Sequence, residues 1–519
     1  MTTKRSLLWA AFTGIAASAV TLAVAELVAL FVAAASSPLF AVGSFVIDLV
    51  PPWVKQTAIA LFGTADKIVL LGSLGLLVLI LAAIAGILEY RKPPFGLTLL
   101  LVVGLVALVA VLTRADSNPW WAFPTLLGVV AGAVFLRKAM TRLRDWAKAP
   151  ASGSDVPRSR TEGYTRRGFL MVLVGAAGAS AVVGVTARAI NAGTTVINTV
   201  RDALTLPKPV AAVAPIPLGA ELDVTGITPL VTSNDTFYRI DTALQPPTID
   251  AATWTLKITG EVENEVEITF DELLALPLIE TYVTLMCVSN EVGGTLTGNA
   301  LWLGYPIREL LKRAKPTAGA DMVLSKSIDG FTASSPLDVL LDEDRDSILA
   351  VGMNGEPLPI VHGFPVRMVV PGLYGYVSAT KWVVELEVTR FSKMHAYWTD
   401  RGWSERGPVK TSSRIDVPRS GALVTGPRVA VAGIAWAQHV GIDAVEVRVD
   451  GGSWEPATLA EAISADTWRQ WVYEWDAPGG DHTLEVRATD ATGFTQSGEQ
   501  VFVAPNGAEG WHIVDVSVG

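Results

Sequence analysis

A single cysteine, Cys287, serves a chain of 519 residues. One thiol excludes an intramolecular disulfide and any zinc site built from several thiolates. Histidine is scarce as well: there are five, and none precedes His362. The chain before that point therefore cannot hold a bis-histidine haem, and no haem is expected. Basic charge is in deficit, with 40 Lys and Arg against 50 Asp and Glu, a net charge of −10. That balance argues against nucleic acid as the main partner. Charged residues make up only 17% of the chain and hydrophobic ones 50%. The mean hydropathy of +0.41 is high for a soluble enzyme. The excess lies in the first 190 residues, which predicts a membrane domain fused to soluble ones.

Three apolar runs, Leu7–Ala35, Ile68–Leu88 and Phe95–Leu112, are long enough to cross a bilayer as helices. Trp120–Leu136 is a shorter fourth span that contains Pro124, with Trp120 and Trp121 suited to an interfacial belt. Phe169–Ala187 is a fifth. The piece from Pro38 to Gly63, broken by Asp48, Pro51, Pro52 and Lys55, reads as interfacial or re-entrant. Lys4 and Arg5, Arg91 and Lys92, and a cluster from Arg137 to Arg167 that includes Arg158 and Arg160 fall on one side of five spans. By the positive-inside rule that side is cytoplasmic, and everything after Ala187 lies outside. Thr165-Arg166-Arg167-Gly168-Phe169-Leu170 stands before the last span and resembles an internal twin-arginine export signal, a route for folded cargo. Glu26 is a carboxylate deep in the first span, where a functional role is the default hypothesis; a proton or quinone role stands beside the alternatives of facing other helices or simply staying protonated.

Past residue 190 the composition changes. Residues 191–217 read as a linker that ends in the stiff PKPVAAVAPIP. Residues 218–412 read as a mixed domain, with strands at Trp254–Gly260 and Met322–Lys326 and helices at Phe270–Leu276 and Pro306–Ala314. Residues 413–519 read as all-β, with a hairpin turn at Asp450-Gly451-Gly452. Within the mixed domain, Tyr282, Thr284 and Met286 alternate with Val283 and Leu285, the pattern of a half-buried strand. The strand delivers Cys287 to a polar loop, Ser289-Asn290, closed by Gly293-Gly294. The thiol there could be a nucleophile, a single soft ligand to a metal-bearing cofactor, or an inert buried residue.

Four stretches resemble the sulfite oxidase family of molybdopterin-dependent oxidoreductases. Thr232–Arg239 (TSNDTFYR) looks like its entry motif, Cys287-Val288-Ser289-Asn290 like its Cys-x-x-Asn, and Asp329-Gly330-Phe331-Thr332 like a loop over the metal. The fourth runs from Asn354 to Trp382, with His362-Gly363-Phe364-Pro365-Val366-Arg367, Pro371-Gly372 and Lys381-Trp382 in the family's order. Beside the helical membrane domain read from the apolar runs, the resemblance, which covers residues 218–519, implies an α+β molybdopterin domain and an immunoglobulin-like sandwich of the kind the family uses to dimerise. It implies Cys287 as the molybdenum ligand, with Arg239 and Phe331 as the other catalytic residues. It implies cofactor contacts from Asn234, Phe237, Tyr238, Ser289, Asn290, His362, Arg367, Gly375, Ser378, Thr380 and Lys381. Independently of the resemblance, Arg367 offers a bidentate fork, His362 a ring N–H, and the loop Gly372–Lys381 backbone amides and hydroxyls for a phosphate.

The implied activity is oxygen-atom transfer at molybdenum, as sulfite oxidation or as reduction of an S- or N-oxide. Electrons would pass to or from a quinone or a haem protein. Glu291 follows Asn290 where sulfite-using members gather arginine, and an inward carboxylate would repel an oxyanion. The competing reading is a cofactor-free, membrane-anchored surface binding protein that kept the fold. Retention of Cys287, His362, Arg367 and Lys381 together favours the enzyme.

Overall fold

The computed structural model describes residues 3–33, 36–51, 54, 57, 66–114, 117–148, 166–191, 201–210, 212–243 and 246–519. Arg158, Arg160 and Thr165, used above to argue orientation and export, lie outside the described residues. Two compact units emerge. One comprises residues 1–196 with 243–248, and the other residues 197–242 with 249–519.

The first unit is helical: α1 (Thr3–Val32), α2 (Pro38–Leu49), α3 (Asp66–Arg91), α4 (Phe95–Leu112), α5 (Ala122–Lys148) and α6 (Arg166–Asn191). Among the described residues, four stretches are long and apolar enough to cross a membrane, Lys4–Val32, Val69–Arg91, Phe95–Leu112 and Pro119–Ala147. The fourth is longer than the sequence suggests, because Pro124 sits in the first turn of α5 where its missing N–H costs nothing. The expected fifth span falls in α6, whose apolar part, Phe169–Gly184, is shorter than a full crossing. The 12 residues of α2 are too few to span.

Small residues hold these helices close. A Cβ on Gly14 of α1 would stand 2.0 Å from the Ala82 carbonyl of α3, and one on Gly86 would stand 2.0 Å from that of Ala10. Only glycine at both positions allows the two backbones to touch. Glu26 is buried in α1 and accepts a hydrogen bond of 2.5 Å from Ser37 Oγ.

The second unit begins earlier than the expected linker would end. Arg201 donates to the carbonyl of Leu358 at 2.9 Å, and the Val210 N–H donates to Leu278 O at 2.9 Å, so the stretch read as a linker is partly tied down. The mixed domain carries two sheets. One has the order β2-β1-β10-β5-β6, with β1 (Thr255–Gly260), β2 (Val266–Thr269), β5 (Met322–Ser327), β6 (Thr332–Pro336) and β10 (Val383–Thr389). The other has the order β3-β4-β7-β8, with β3 (Ile279–Met286), β4 (Thr297–Pro306), β7 (Ile348–Met353) and β8 (Glu356–Pro357), and β9 (Arg367–Val369) also pairing with β7. Short helices cross the edges. The first, Phe270–Leu274, starts with a full capping box between Thr269 and Glu272.

Two further sheets form the C-terminal sandwich. Ile415, Val431, Trp471 and Trp475 from one sheet pack against Val445, Val447, Leu484, Val486, Val514 and Val516 from the other. The hairpin turn is where expected, with Asp450 and Gly451 at φ of 50° and 68°.

This sandwich changes the expected environment of β3. The strand is buried on both faces from Val283 to Met286, not on one. The Thr284 N–H donates to Asp466 O at 3.0 Å, and Thr284 Oγ1 accepts from the Trp468 N–H at 2.8 Å. Trp468, 1% exposed, also donates from its indole to Leu230 O at 3.0 Å. The strand that leads to Cys287 is thus clamped by the C-terminal domain of its own chain.

Candidate active site

Cys287 leaves the end of β3 as a buried thiol, 8% exposed. Its N–H donates to Leu296 O at 2.9 Å, its carbonyl accepts from the Asn290 N–H at 3.0 Å, and its Sγ accepts from the Ser289 N–H at 3.4 Å. Burial pushes the thiol above its ordinary pKa, and the Ser289 N–H partly offsets this. Asn290 Oδ1 accepts from the Leu296 N–H at 2.7 Å and so closes the loop across its mouth. Gly293 turns the loop at φ 75°, and a Cβ there would meet the His512 ring at 2.3 Å.

Beside the thiol stand two phenols. Burial and the proximity of Cys287 raise the pKa of Tyr238 strongly, and they push that of Tyr374 up to about 12. Both therefore keep their protons and stay neutral O–H groups. Tyr238 also lies within electrostatic range of Arg367, which links the thiol to a second cluster. Phe237 stacks on Tyr238 at 5.2 Å and meets the edges of Trp302 and His362 at 5.7 Å and 5.5 Å.

That second cluster is cationic. Arg367 is 5% exposed, donates to His362 O at 3.1 Å and lies 5.1 Å over the Trp302 ring. Burial lowers its pKa to about 10. Lys381 is 9% exposed and is lowered by burial to about 8, although it contacts Asp241 at 2.7 Å. Asp241 is shared, because Arg239 reaches the same oxygen at 2.9 Å. His362 contacts Asn234 O at 3.0 Å, and burial together with Arg367 holds it near 4, neutral at pH 7. Asn234 Oδ1 in turn accepts from Asn354 at 2.8 Å.

Not every expected side chain points its polar atoms the same way. Ser378 Oγ donates to Tyr374 O at 2.9 Å, and Thr380 Oγ1 pairs with Ser325 Oγ at 2.7 Å, so both hydroxyls have internal partners. Thr380 also offers its carbonyl to the Met368 N–H at 2.9 Å. Gly375 has room: a Cβ there would find Met286 O at 3.6 Å and Tyr238 Oη at 3.8 Å, ordinary contacts. Phe331 is half-buried and packs against Tyr397 at 5.9 Å. Asp329, next to it, lies within electrostatic range of Asp241 and Lys381, and its carboxyl is raised chiefly by burial. Glu291 is exposed.

Sequence reasoning missed Asp241, Tyr374 and Arg414. Asp241 follows the entry motif without being part of it, and only the fold brings it to Lys381, 140 residues later. Tyr374 sits inside a stretch read for its backbone amides and for the hydroxyls of Ser378 and Thr380, and its phenol was passed over. Arg414, at the start of the C-terminal domain, donates to Gly294 O at 2.6 Å, to Thr228 Oγ1 at 2.7 Å and to Asp416 at 2.7 Å. Nothing local in the sequence marks it.

The donor set suits an anionic cofactor with a phosphate. Lys381 and Arg239 share one buried carboxylate, Asp241, Lys381 also lies in range of Asp329, whose ionisation burial opposes, and the buried Arg367 stands over Trp302. The depressed pKa values of both buried cations mean that their charge is incompletely compensated, which a multi-oxygen anion would relieve. Among the described residues no group of three or more His, Cys, Asp or Glu could hold a metal alone.

Residues 243–398 match the oxidoreductase molybdopterin binding domain, and residues 412–486 match a bacterial Ig domain. The chain is 28% identical to human mitochondrial sulfite oxidase over 302 residues, 49% of this chain and 55% of that one. It thus spans about half the length of that curated relative. It is 31% identical over 166 residues to the uncharacterized oxidoreductase YuiH of Bacillus subtilis, 32% of this chain and 80% of that one. Among solved structures, the sulfane dehydrogenase SoxCD of Paracoccus pantotrophus aligns over 52% of this chain and 75% of its own, at 24% identity and a TM-score of 0.46.

Proposed function

The chain belongs to the sulfite oxidase family of molybdopterin-dependent oxidoreductases, and from that premise we propose a membrane-anchored enzyme whose site faces away from the cytoplasm. The reading has the first unit as the anchor. It has the twin arginines that open α6, Arg166 and Arg167, as the signal that exports a domain folded around its cofactor. The charge asymmetry Lys4, Arg5, Arg91, Lys92 and Arg137–Arg167 supports a cytoplasmic N-terminus.

Molybdenum held by a pterin dithiolene supplies two-electron oxygen-atom transfer when bound. Cys287 would be the protein's single ligand, with the Ser289 N–H stabilising its thiolate. Arg367 and Lys381 would hold the cofactor's phosphate, and His362, neutral at pH 7, would orient the edge near Asn234. Tyr238 and Tyr374 keep their protons, so they can donate hydrogen bonds to a polar substrate oxygen near the thiol. Arg239 would offer the one partly exposed guanidinium to an incoming anion, with Asp241 fixing its angle. Phe331 would cover the site from the side of Tyr397. Exposure of Glu291 weakens the argument from repulsion against an oxyanion.

The observation that carries this reading is Tyr238, which lies in electrostatic range of both the buried thiol and the buried Arg367. Sulfite oxidation takes its oxygen from water and releases two electrons and two protons. Reduction of an S- or N-oxide consumes two of each and returns water. Both use the same residues, and the electrons pass through a membrane or extracytoplasmic carrier. The purified full chain, expressed in a host that makes the cofactor, should reduce a dye acceptor with sulfite or oxidise a reduced dye with a sulfoxide. Neither activity in a molybdenum-loaded sample would contradict the proposed substrates.

A further inference from the structure

Tyr374 is 3% exposed, keeps its proton and lies in electrostatic range of Cys287. Its oxygen accepts one hydrogen bond, from the Lys410 N–H at 3.5 Å. Among the described residues nothing accepts the proton of its hydroxyl. A buried tyrosine normally finds a partner for its O–H, and a donor left without one costs free energy until a ligand takes it.

The surroundings of that oxygen come from the far end of the chain. Residues 501–509 form a strap closed by two backbone bonds, Val501 N–H to Glu509 O at 3.0 Å and Glu509 N–H to Val501 O at 3.2 Å. Inside it the Gly507 N–H turns back to Val503 O at 2.6 Å. Gly507 is buried at a φ of 100°, and a Cβ on it would overlap Tyr374 Oη and stand 2.8 Å from Cζ. Only glycine lets the strap lie this close to the phenol.

Lys410 ties both parts together. Its N–H meets the phenol, while its Nζ donates to Gly507 O at 3.1 Å, to Asn506 Oδ1 at 3.2 Å and to Glu509 Oε1 at 2.5 Å. The Ser404 N–H adds a second tie, to Pro505 O at 3.0 Å. The backbone of the tyrosine is held by the same stretch, because its N–H donates to Gly407 O at 2.7 Å. A side chain that only filled space here would do better as phenylalanine, since the hydroxyl crowds Gly507 and its proton has no use.

We propose that Lys410 and Gly507 are positioning residues, which fix the Tyr374 hydroxyl so that its proton faces the pocket beside Cys287 and donates to the substrate oxygen. Lys410 fills the acceptor side of the phenol oxygen and Gly507 closes its flank. The donated N–H also polarises the O–H and strengthens it as a donor. The C-terminal sandwich thus takes part in the reaction without touching the substrate. The inference rests on the oxygen-transfer reading above for the identity of the acceptor.

The test uses the full chain loaded with its cofactor, assayed with the same dyes, and nitration of Tyr374 by tetranitromethane read by peptide mass spectrometry. Gly507→Ala should lower kcat about tenfold to a hundredfold, with KM and molybdenum per chain little changed. Lys410→Met frees the strap but keeps the N–H. It should lower kcat in the same sense by less, and it decides the matter if Gly507→Ala fails to fold. Both variants should nitrate Tyr374 faster than wild type does. Phe502→Ala, at a 90% exposed position of the strap, should change neither readout. In a Tyr374→Phe background Gly507→Ala should cost no further kcat, because the hydroxyl it displaces is already gone. A full additional loss there would overturn the proposal, as would wild-type kcat in both strap variants. If the loaded wild type transfers no oxygen, the functional reading falls and nitration alone judges the strap. Faster nitration in the variants then keeps its hold on the phenol, and an unchanged rate removes it.

Discussion

Arg414 donates a 2.6 Å hydrogen bond to the carbonyl of Gly294, joining the C-terminal sandwich to the loop that follows Cys287. Its other contacts, to Thr228 and Asp416, leave it and Asp416 each 8% exposed. The sandwich therefore shapes the thiol's loop as well as covering β3.

Replacing Arg414 with Met should loosen that loop. It removes the bond to Gly294 and leaves Asp416 without its cation, holding only the Thr228 N–H at 3.0 Å among the described residues, at a cost of up to roughly 3–5 kcal/mol. Cofactor-free protein should show faster alkylation of Cys287, read by mass spectrometry, and loaded protein should hold less molybdenum. An unchanged alkylation rate in a folded variant would mean that the loop holds itself.

Gly293 should tolerate no side chain. Alanine there carries a strained positive φ, about 1–2 kcal/mol, and a clash with the His512 ring. In a His512→Ala background the clash disappears and only the backbone part should remain. A double-mutant cycle on thermal midpoints measures the difference, and strict additivity would contradict the contact.

Acid should destabilise the cofactor-free protein over a defined window. His362 and His512 are both held near 4 by burial, below the usual 6.5 of an unfolded histidine. The unfolded chain therefore binds their protons first. Their contribution is complete above about pH 6.5 and is lost as pH falls towards 4. His512 Nδ1 accepts the Ile415 N–H at 3.0 Å, and His512→Asn keeps an acceptor while removing the titration. Thermal midpoints between pH 7 and 4 should fall less steeply in that variant, whereas a parallel decline would rule out His512 as a contributor.

Lys381→Met and Arg367→Met should each lower cofactor retention about tenfold or more, since a hydrogen bond to a charged group contributes roughly 1.5–3 kcal/mol. Released pterin fluorescence per chain after dialysis reads the loss. Ser378→Ala should matter less to retention, because its hydroxyl bonds to Tyr374 O.

Much of this was legible in the sequence, for physical reasons. Alternation at Tyr282–Met286 marks a strand, and a lone cysteine followed by Ser, Asn and two glycines marks a loop with a purpose. His362, Arg367 and Lys381 were legible as a group because β9 and its bridge to Lys381 keep them close in sequence and in space. What stayed hidden was long-range. The second buried face of β3 depends on Trp468, 184 residues away. Asp241 gains meaning only when Lys381 folds back to it. The extra length of α5 was masked by Pro124, which reads as a breaker until the first turn is located.

The central claim is that Cys287 anchors a molybdenum cofactor. The most direct measurement is molybdenum per polypeptide on the purified full chain, wild type and Cys287→Ser, from a host that makes the cofactor and exports folded proteins. Near-stoichiometric metal that falls sharply in the variant is the predicted result. Absence of molybdenum and pterin from the well-folded wild type would contradict the account.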